Sequence, residues 1–244
     1  MKRNLLLISN STLFGSEYLD HCENNIKEFL GDLKGYVAFV PYARPNLLTH
    51  EAYTDLAKQR FAKMGYKLIS VTESSAPKPV LYDCDAIFIG GGNTFVLLDQ
   101  IYQNSLLIPI REQVQELGKK YIGASAGANV ACKTIKTTND MPIVYPPSFF
   151  GLGLVPFNIN PHYLDADPNS KHKGETRETR LNEFRGYNDE MVVALREGAM
   201  LKVIDDIVEL NGISLSGSNI ARIFVKGKEP TEHIAGERLD FLLK

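Results

Sequence analysis

Gly123-Ala124-Ser125-Ala126-Gly127 places a serine in a G-x-S-x-G frame, after the apolar Tyr121-Ile122 and before Ala128-Asn129-Val130-Ala131. Strand, sharp turn and helix in that order form an elbow that lifts the serine oxygen clear of the sheet. Its backbone angles and close strand–helix approach exclude bulky neighbours, which the small residues around Ser125 satisfy. The Ala126 N–H opens the helix and faces the place where an attacked carbonyl oxygen would gather charge. A serine that merely caps a helix is the plain alternative, so the rest of the sequence has to decide.

A second turn, Gly90-Gly91-Gly92-Asn93-Thr94, follows the apolar run Ala86–Ile89. It lacks the lysine of a phosphate loop and the spacing of a dinucleotide fingerprint. Beside an elbow serine, glycine amides at Gly91 and Gly92 suit an oxyanion hole shared with Ala126; alone, the turn would be read only as a tight loop.

A serine nucleophile needs a base within hydrogen-bond reach. Of the five histidines, His21 falls on a helix face, His50 just before a helix, His172 in a charged loop and His233 near the C-terminus. His162 ends the apolar approach Phe157-Asn158-Ile159-Asn160-Pro161 and is favoured by elimination. For the acid that would orient it, Asp140 in Thr137-Thr138-Asn139-Asp140-Met141-Pro142 stands ahead of Glu197, which follows Val192–Leu195. The order Ser…Asp…His matches one known triad order, although triads are defined by geometry.

These residues need a scaffold. Leu5–Ile8, Tyr36–Val40, Lys67–Val71, Ala86–Ile89 and Tyr121–Gly123 read as buried strands. They alternate with helical stretches at Ser16–Leu30, Leu47–Met64, Thr94–Tyr102 and Leu107–Leu117. Continuous apolar strands alternating with helices predict an α/β fold, a mostly parallel sheet flanked by helices, with its chemistry beyond the carboxyl ends of the strands. Residues 140–173 are Pro-rich and irregular. Val192–Leu195, Met200–Ile204, Ile207–Leu210 and Arg222–Val225 then predict short antiparallel strands extending the sheet edge. With no linker, repeat or low-complexity tract, residues 1–244 read as one domain.

Bulk properties restrict the partners. The 244 residues carry a formal net charge of −2, with 44% hydrophobic and 23% charged residues, so a polyanion-binding surface is not expected. Three widely spaced cysteines (Cys22, Cys84, Cys132) form no CxxC pair. That argues against a zinc site or a secreted disulfide framework and points to the cytoplasm. The run Leu5–Ile8 stops at Ser9-Asn10-Ser11-Thr12 and reads as a first strand, not as a leader or a membrane span.

Taken together, the blocks Leu6–Leu13, Gly90–Phe95, Ser125–Asn129, Thr137–Val144, Asn160–His162 and 172–177 resemble the peptidase E, or α-aspartyl dipeptidase, family over nearly the whole chain. The resemblance implies a fold similar to class I glutamine amidotransferases and a serine dipeptidase that cleaves Asp-X without cofactor or metal. It implies Ser125 as nucleophile, His162 as base and Asp140 as orienting acid, with Glu197 matching a family glutamate near the site. An aspartyl side chain needs a cation; Arg177, then Lys173 and Arg180, follow the His162 loop, although an exposed helix start would read the same way. The expected partner is a small peptide, with no nucleic acid or membrane; the oligomeric state stays open, a homodimer among the options. A cyanophycinase-like hydrolase of other aspartyl amides, or a non-catalytic module, are the rival readings. Ala124 stands where bacterial relatives carry Trp, a change expected to reshape the pocket wall. The tail Glu232–Lys244 looks longer than in those relatives.

Overall fold

The computed structural model describes residues 2–44, 48–169, 171 and 173–244. Five strands form the parallel body of the main sheet: β1 (Asn4–Ile8), β2 (Val37–Val40), β3 (Leu68–Ser70), β4 (Ala86–Ile89) and β5 (Lys120–Ala124). Their spatial order is β3-β2-β4-β5-β1, and every neighbouring pair among them is parallel. Both faces of these strands are covered. Leu5 and Leu7 of β1 pack into one core cluster and Leu6 and Ile8 into the other, and Ile87/Ile89 and Phe88 of β4 divide in the same way. A strand buried on both faces has no polar alternation, which is why these segments read as continuous apolar runs.

Helices supply the cover. On one face lie α1 (Glu23–Leu30) and α2 (His50–Lys63), through Ile26, Phe29, Tyr53 and Phe61. On the other lie α3 (Pro77–Tyr82), α4 (Thr94–Gln103), α5 (Leu107–Arg111) and α6 (Ala126–Val130), through Leu81, Leu97, Ile101, Ile110 and Val130. Two expected helices are altered. The one predicted from Ser16 is regular only from Glu23, after a 3₁₀ turn at Asp20–Cys22, because Leu19 turns left-handed at φ 59°. The one predicted over Leu107–Leu117 continues beyond α5 as a π-helical turn, Glu112–Glu116. Leu47, where the α2 segment was expected to begin, lies outside the described residues, as does His172.

The C-terminal part differs from the expected edge extension. After β6 (Asn158–Asn160) and α7 (Arg177–Tyr187), β7 (Val192–Leu195) does not join the main sheet. It lies in a second sheet ordered β11-β10-β7-β6, in which β10 is Asn219–Phe224 and β11 is Thr231–Ile234. Only β8 (Ala199–Ile204) and β9 (Ile207–Gly212) extend the main sheet, antiparallel, from β1. The chain changes sheets across Arg196-Glu197-Gly198, where Gly198 takes φ 87°. A side chain there would meet the Ile213 carbonyl at 2.7 Å, so the crossing requires glycine.

The tail has a structural place. β11 pairs with β10, while Leu239 and Leu242 are buried and Leu239 N–H donates to the Val208 carbonyl of β9 at 2.8 Å. It thereby joins the second sheet to the edge of the first. Among the described residues no helix is long and apolar enough to cross a membrane.

Candidate active site

The carboxyl ends of four adjacent strands, β2, β4, β5 and β1, meet at one cavity. Ser125 leaves β5 at φ 53° and ψ −109°, a conformation that costs a non-glycine residue energy and persists only when its surroundings hold it. The surroundings do. Its N–H donates to the Ile8 carbonyl of β1 at 2.9 Å, and its carbonyl accepts from Ala128 and Asn129. A Cβ on Gly123 would lie 2.4 Å from the Gly127 carbonyl, and one on Gly127 2.1 Å from the Ile89 carbonyl. The glycines flanking the serine are therefore required by the packing of β5, α6 and β4.

His162 is held just as firmly. Its N–H donates to Ser9 Oγ at 2.9 Å, and Ser9 Oγ in turn donates to the Leu195 carbonyl at 2.9 Å. The approach strand β6 is pinned by Asn129 and Thr137, whose side chains both donate to the Ile159 carbonyl. The ring then lies between two partners. Nε2 is 2.9 Å from Ser125 Oγ, and Nδ1 is 2.9 Å from Glu197 Oε1.

The carboxylate that meets His162 is thus Glu197, and the expectation that Asp140 would do so is corrected. Asp140 Oδ2 instead accepts from Thr94 N–H at 2.8 Å, Thr94 Oγ1 at 2.7 Å and Thr138 Oγ1 at 3.1 Å. It caps the first turn of α4 and ties the 137–141 loop to the Gly-rich turn, so that oxygen is committed elsewhere. Glu197 reaches the ring because the crossing between sheets, with Gly198 N–H donating to Asn10 Oδ1 at 2.8 Å, delivers it beside the end of β1.

The Gly-rich turn closes the site from β4. A Cβ on Gly91 would lie 3.0 Å from Ser125 Cβ, and one on Gly92, at φ 146°, would lie 2.1 Å from the Ala43 carbonyl. Two donors fix the Gly91 carbonyl, Tyr53 Oη and Arg44 Nε, each at 3.2 Å. A trans peptide carries its N–H opposite its carbonyl, so these bonds also fix the direction of the Gly92 N–H. The Ala126 N–H belongs to a first helical turn, whose amides have no partner within the helix. Ser125, His162, Gly91, Gly92, Asn93, Arg44, Ser11, Asp140 and Ile143 bound a cavity of about 600 Å³, a size suited to a small ligand.

Comparison with known proteins places this arrangement. The family model described as "Peptidase family S51" matches residues 5–211. The chain belongs to that family. It is 47% identical over 240 residues to "Peptidase E" of Streptomyces coelicolor, covering 98% of this chain and 95% of that protein. It is 44% identical over 244 residues to "Probable alpha-aspartyl dipeptidase" of Drosophila melanogaster, covering 99% and 98%. A solved peptidase from an acI-B1 Actinobacterium superposes with a TM-score of 0.70 at 19% identity, over 96% of this chain and 95% of that one. That likeness shows the fold, the glutamine amidotransferase-like arrangement expected from the sequence.

Within this S51 site the expected cations are not at the serine. Arg177 and Arg180 line a smaller, neighbouring cavity of about 140 Å³ together with Lys136, Asn160 and Asp140, which borders both. Arg180 is 4.0 Å from Glu175, and Lys173 is exposed. The cation in the serine's cavity is Arg44, which sequence reasoning missed; the available signal was a cation four residues beyond an apolar parallel strand. Ala124, expected in the pocket wall, is instead fully buried in the core cluster with Ile8 and Met200. The three cysteines are buried and unpaired. Burial pushes their thiols up, to about 12 for Cys22, about 11 for Cys84 and about 12 for Cys132, so none competes with Ser125 as nucleophile.

Proposed function

We propose that this S51 chain is a serine dipeptidase that hydrolyses dipeptides with an N-terminal aspartate through an acyl-enzyme on Ser125. The pair of 2.9 Å contacts on opposite nitrogens of the His162 ring carries the reading. Glu197 accepts from Nδ1–H, which leaves Nε2 as the acceptor for the Ser125 proton and stabilises the imidazolium that forms. As Oγ attacks the aspartyl carbonyl, the developing oxyanion is held by the Gly92 and Ala126 N–H groups. His162 returns the proton to the departing amino group, and a water activated at the same Nε2 then releases aspartate. Asp140 serves this chemistry indirectly, by fixing the turn that carries Gly91 and Gly92.

The choice of aspartate is supported by the Drosophila melanogaster relative, whose name specifies it, and by an arginine in the cavity. A cytoplasmic setting belongs to the same reading, supported by three buried unpaired thiols. Release of leucine from Asp-Leu, Asn-Leu, Glu-Leu and Ala-Leu tests it. Asp-Leu is expected to be cleaved fastest by tenfold or more, because a neutral side chain leaves the site's ion unpaired and the longer Glu side chain displaces the scissile carbonyl. Equal rates across the four would remove the aspartyl specificity.

A further inference from the structure

Arg44 is a half-buried arginine that lines the reacting cavity, and its setting differs from that of the arginines held by acids. Arg60 pairs with Asp20 and Glu23, Arg196 with Asp165 and Glu232, and Arg222 with Glu178. Arg44 has no acidic partner among the described residues; its contacts are the Nε bond to the Gly91 carbonyl and the face of Tyr53, 4.7 Å from guanidinium carbon to ring centroid. Both hold the planar head in place, and its two terminal NH₂ groups make no ion pair among the described residues. Tyr53 cannot drift, because it is fully buried and its hydroxyl bonds both the Gly91 carbonyl and, at 3.3 Å, Tyr18 Oη. The head lines the same cavity as Ser125 and His162. The other charged side chain there, Asp140, has one oxygen engaged by Thr94 and Thr138. A guanidinium fixed by its Nε edge, with no acid on its remaining donors among the described residues, is a preorganised fork for a carboxylate.

We propose that Arg44 binds a carboxylate of the substrate, and so joins substrate charge to the oxyanion turn through a single side chain. The inference rests on the dipeptidase reading. An Asp-X dipeptide offers two such groups, the aspartyl side chain and the terminal carboxylate of the leaving residue, which share the same chemistry. Arg177 and Arg180, in the neighbouring cavity, line no part of this one.

Turnover of Asp-Leu, Asn-Leu and C-terminally amidated Asp-Leu by wild type, Arg44→Gln, Arg44→Lys and Tyr53→Phe separates the possibilities. Arg44→Gln is expected to lower kcat/KM for Asp-Leu by about tenfold or more and to collapse one preference selectively. Loss of the Asp-Leu over Asn-Leu ratio assigns Arg44 to the aspartyl side chain; loss of the Asp-Leu over amide ratio assigns it to the leaving residue. Arg44→Lys, which keeps the charge without the fork, should restore part of that ratio. Tyr53→Phe removes the other bond to the Gly91 carbonyl and should slow all three substrates alike. An Arg44→Gln variant that slows all three alike, or none, overturns the proposal. Failure of the dipeptidase reading shows separately, as absence of Asp-Leu turnover by wild type. Calorimetric binding of Asp-Leu to Ser125→Ala, weakened about tenfold by adding Arg44→Gln, then still decides the role of Arg44, and unchanged binding overturns it.

Discussion

Glu197 Oε1 lies 2.9 Å from His162 Nδ1, on the edge of the ring opposite Ser125. The two residues follow neighbouring parallel strands of the smaller sheet, β6 and β7, which pair Asn160 with Ala194. His162 follows β6, and Glu197 occupies the crossing from β7 to β8 of the larger sheet. The pairing is made by the β6–β7 register, and Ser9 Oγ beyond β1 ties the two strand ends together, accepting from His162 N–H and donating to the Leu195 carbonyl.

If that carboxylate fixes the imidazole tautomer, Glu197→Gln should cost on the order of 10³–10⁴ in kcat while the fold survives. Asp140→Asn should cost much less, roughly tenfold to a hundredfold, because it disturbs a cap on α4 and not the ring. Steady-state kinetics on Asp-Leu checks the pair. The reverse ranking would return the orienting role to Asp140.

The elbow glycines should separate folding from chemistry. Gly127→Ala drives a methyl to 2.1 Å from the backbone carbonyl of Ile89. It is expected to cost on the order of 2 kcal/mol or more, lowering Tm by roughly 4–8 °C in a chain of this size. Gly91→Ala meets Ser125 Cβ at 3.0 Å, so it should lose activity with a smaller change in Tm. Calorimetric melting beside an activity assay distinguishes them, and equal Tm shifts would contradict the packing described.

The cysteines should be chemically silent. With Cys84 pushed up to about 11 and Cys22 and Cys132 to about 12, the raised values keep the thiolate scarce until pH approaches those numbers. At pH 8 the most acidic of them is thiolate in about one molecule in a thousand. Iodoacetamide at pH 8 should therefore leave the folded protein unmodified and active, while denatured protein takes three adducts. Rapid labelling with loss of activity would place a thiol at the site.

How much of this could be read in advance depended on range. β1, β4 and β5 were legible because strands buried on both faces are uninterrupted apolar runs. Ser125 was legible because Gly123 and Gly127 are demanded by local packing. His162 followed from a short approach strand ending in Pro161. Glu197 could not be ranked above Asp140, since its claim depends on the long-range parallel pairing of β6 with β7, and Asp140 carries the more suggestive local motif. The split of the C-terminal strands was hidden for a related reason: β7 and β8 are equally apolar, and only the three-residue crossing sends them to different sheets. Arg44 was overlooked because a cation four residues beyond an apolar strand is a weak signal until the fold brings it beside Gly91.

Leucine release from Asp-Leu by wild type and by Ser125→Ala, each verified as folded, is the most direct check on the chemistry. A serine nucleophile predicts steady hydrolysis by the wild type and a fall on the order of 10³ or more in the variant. Hydrolysis by Ser125→Ala at the wild-type rate would contradict an acyl-enzyme on Ser125.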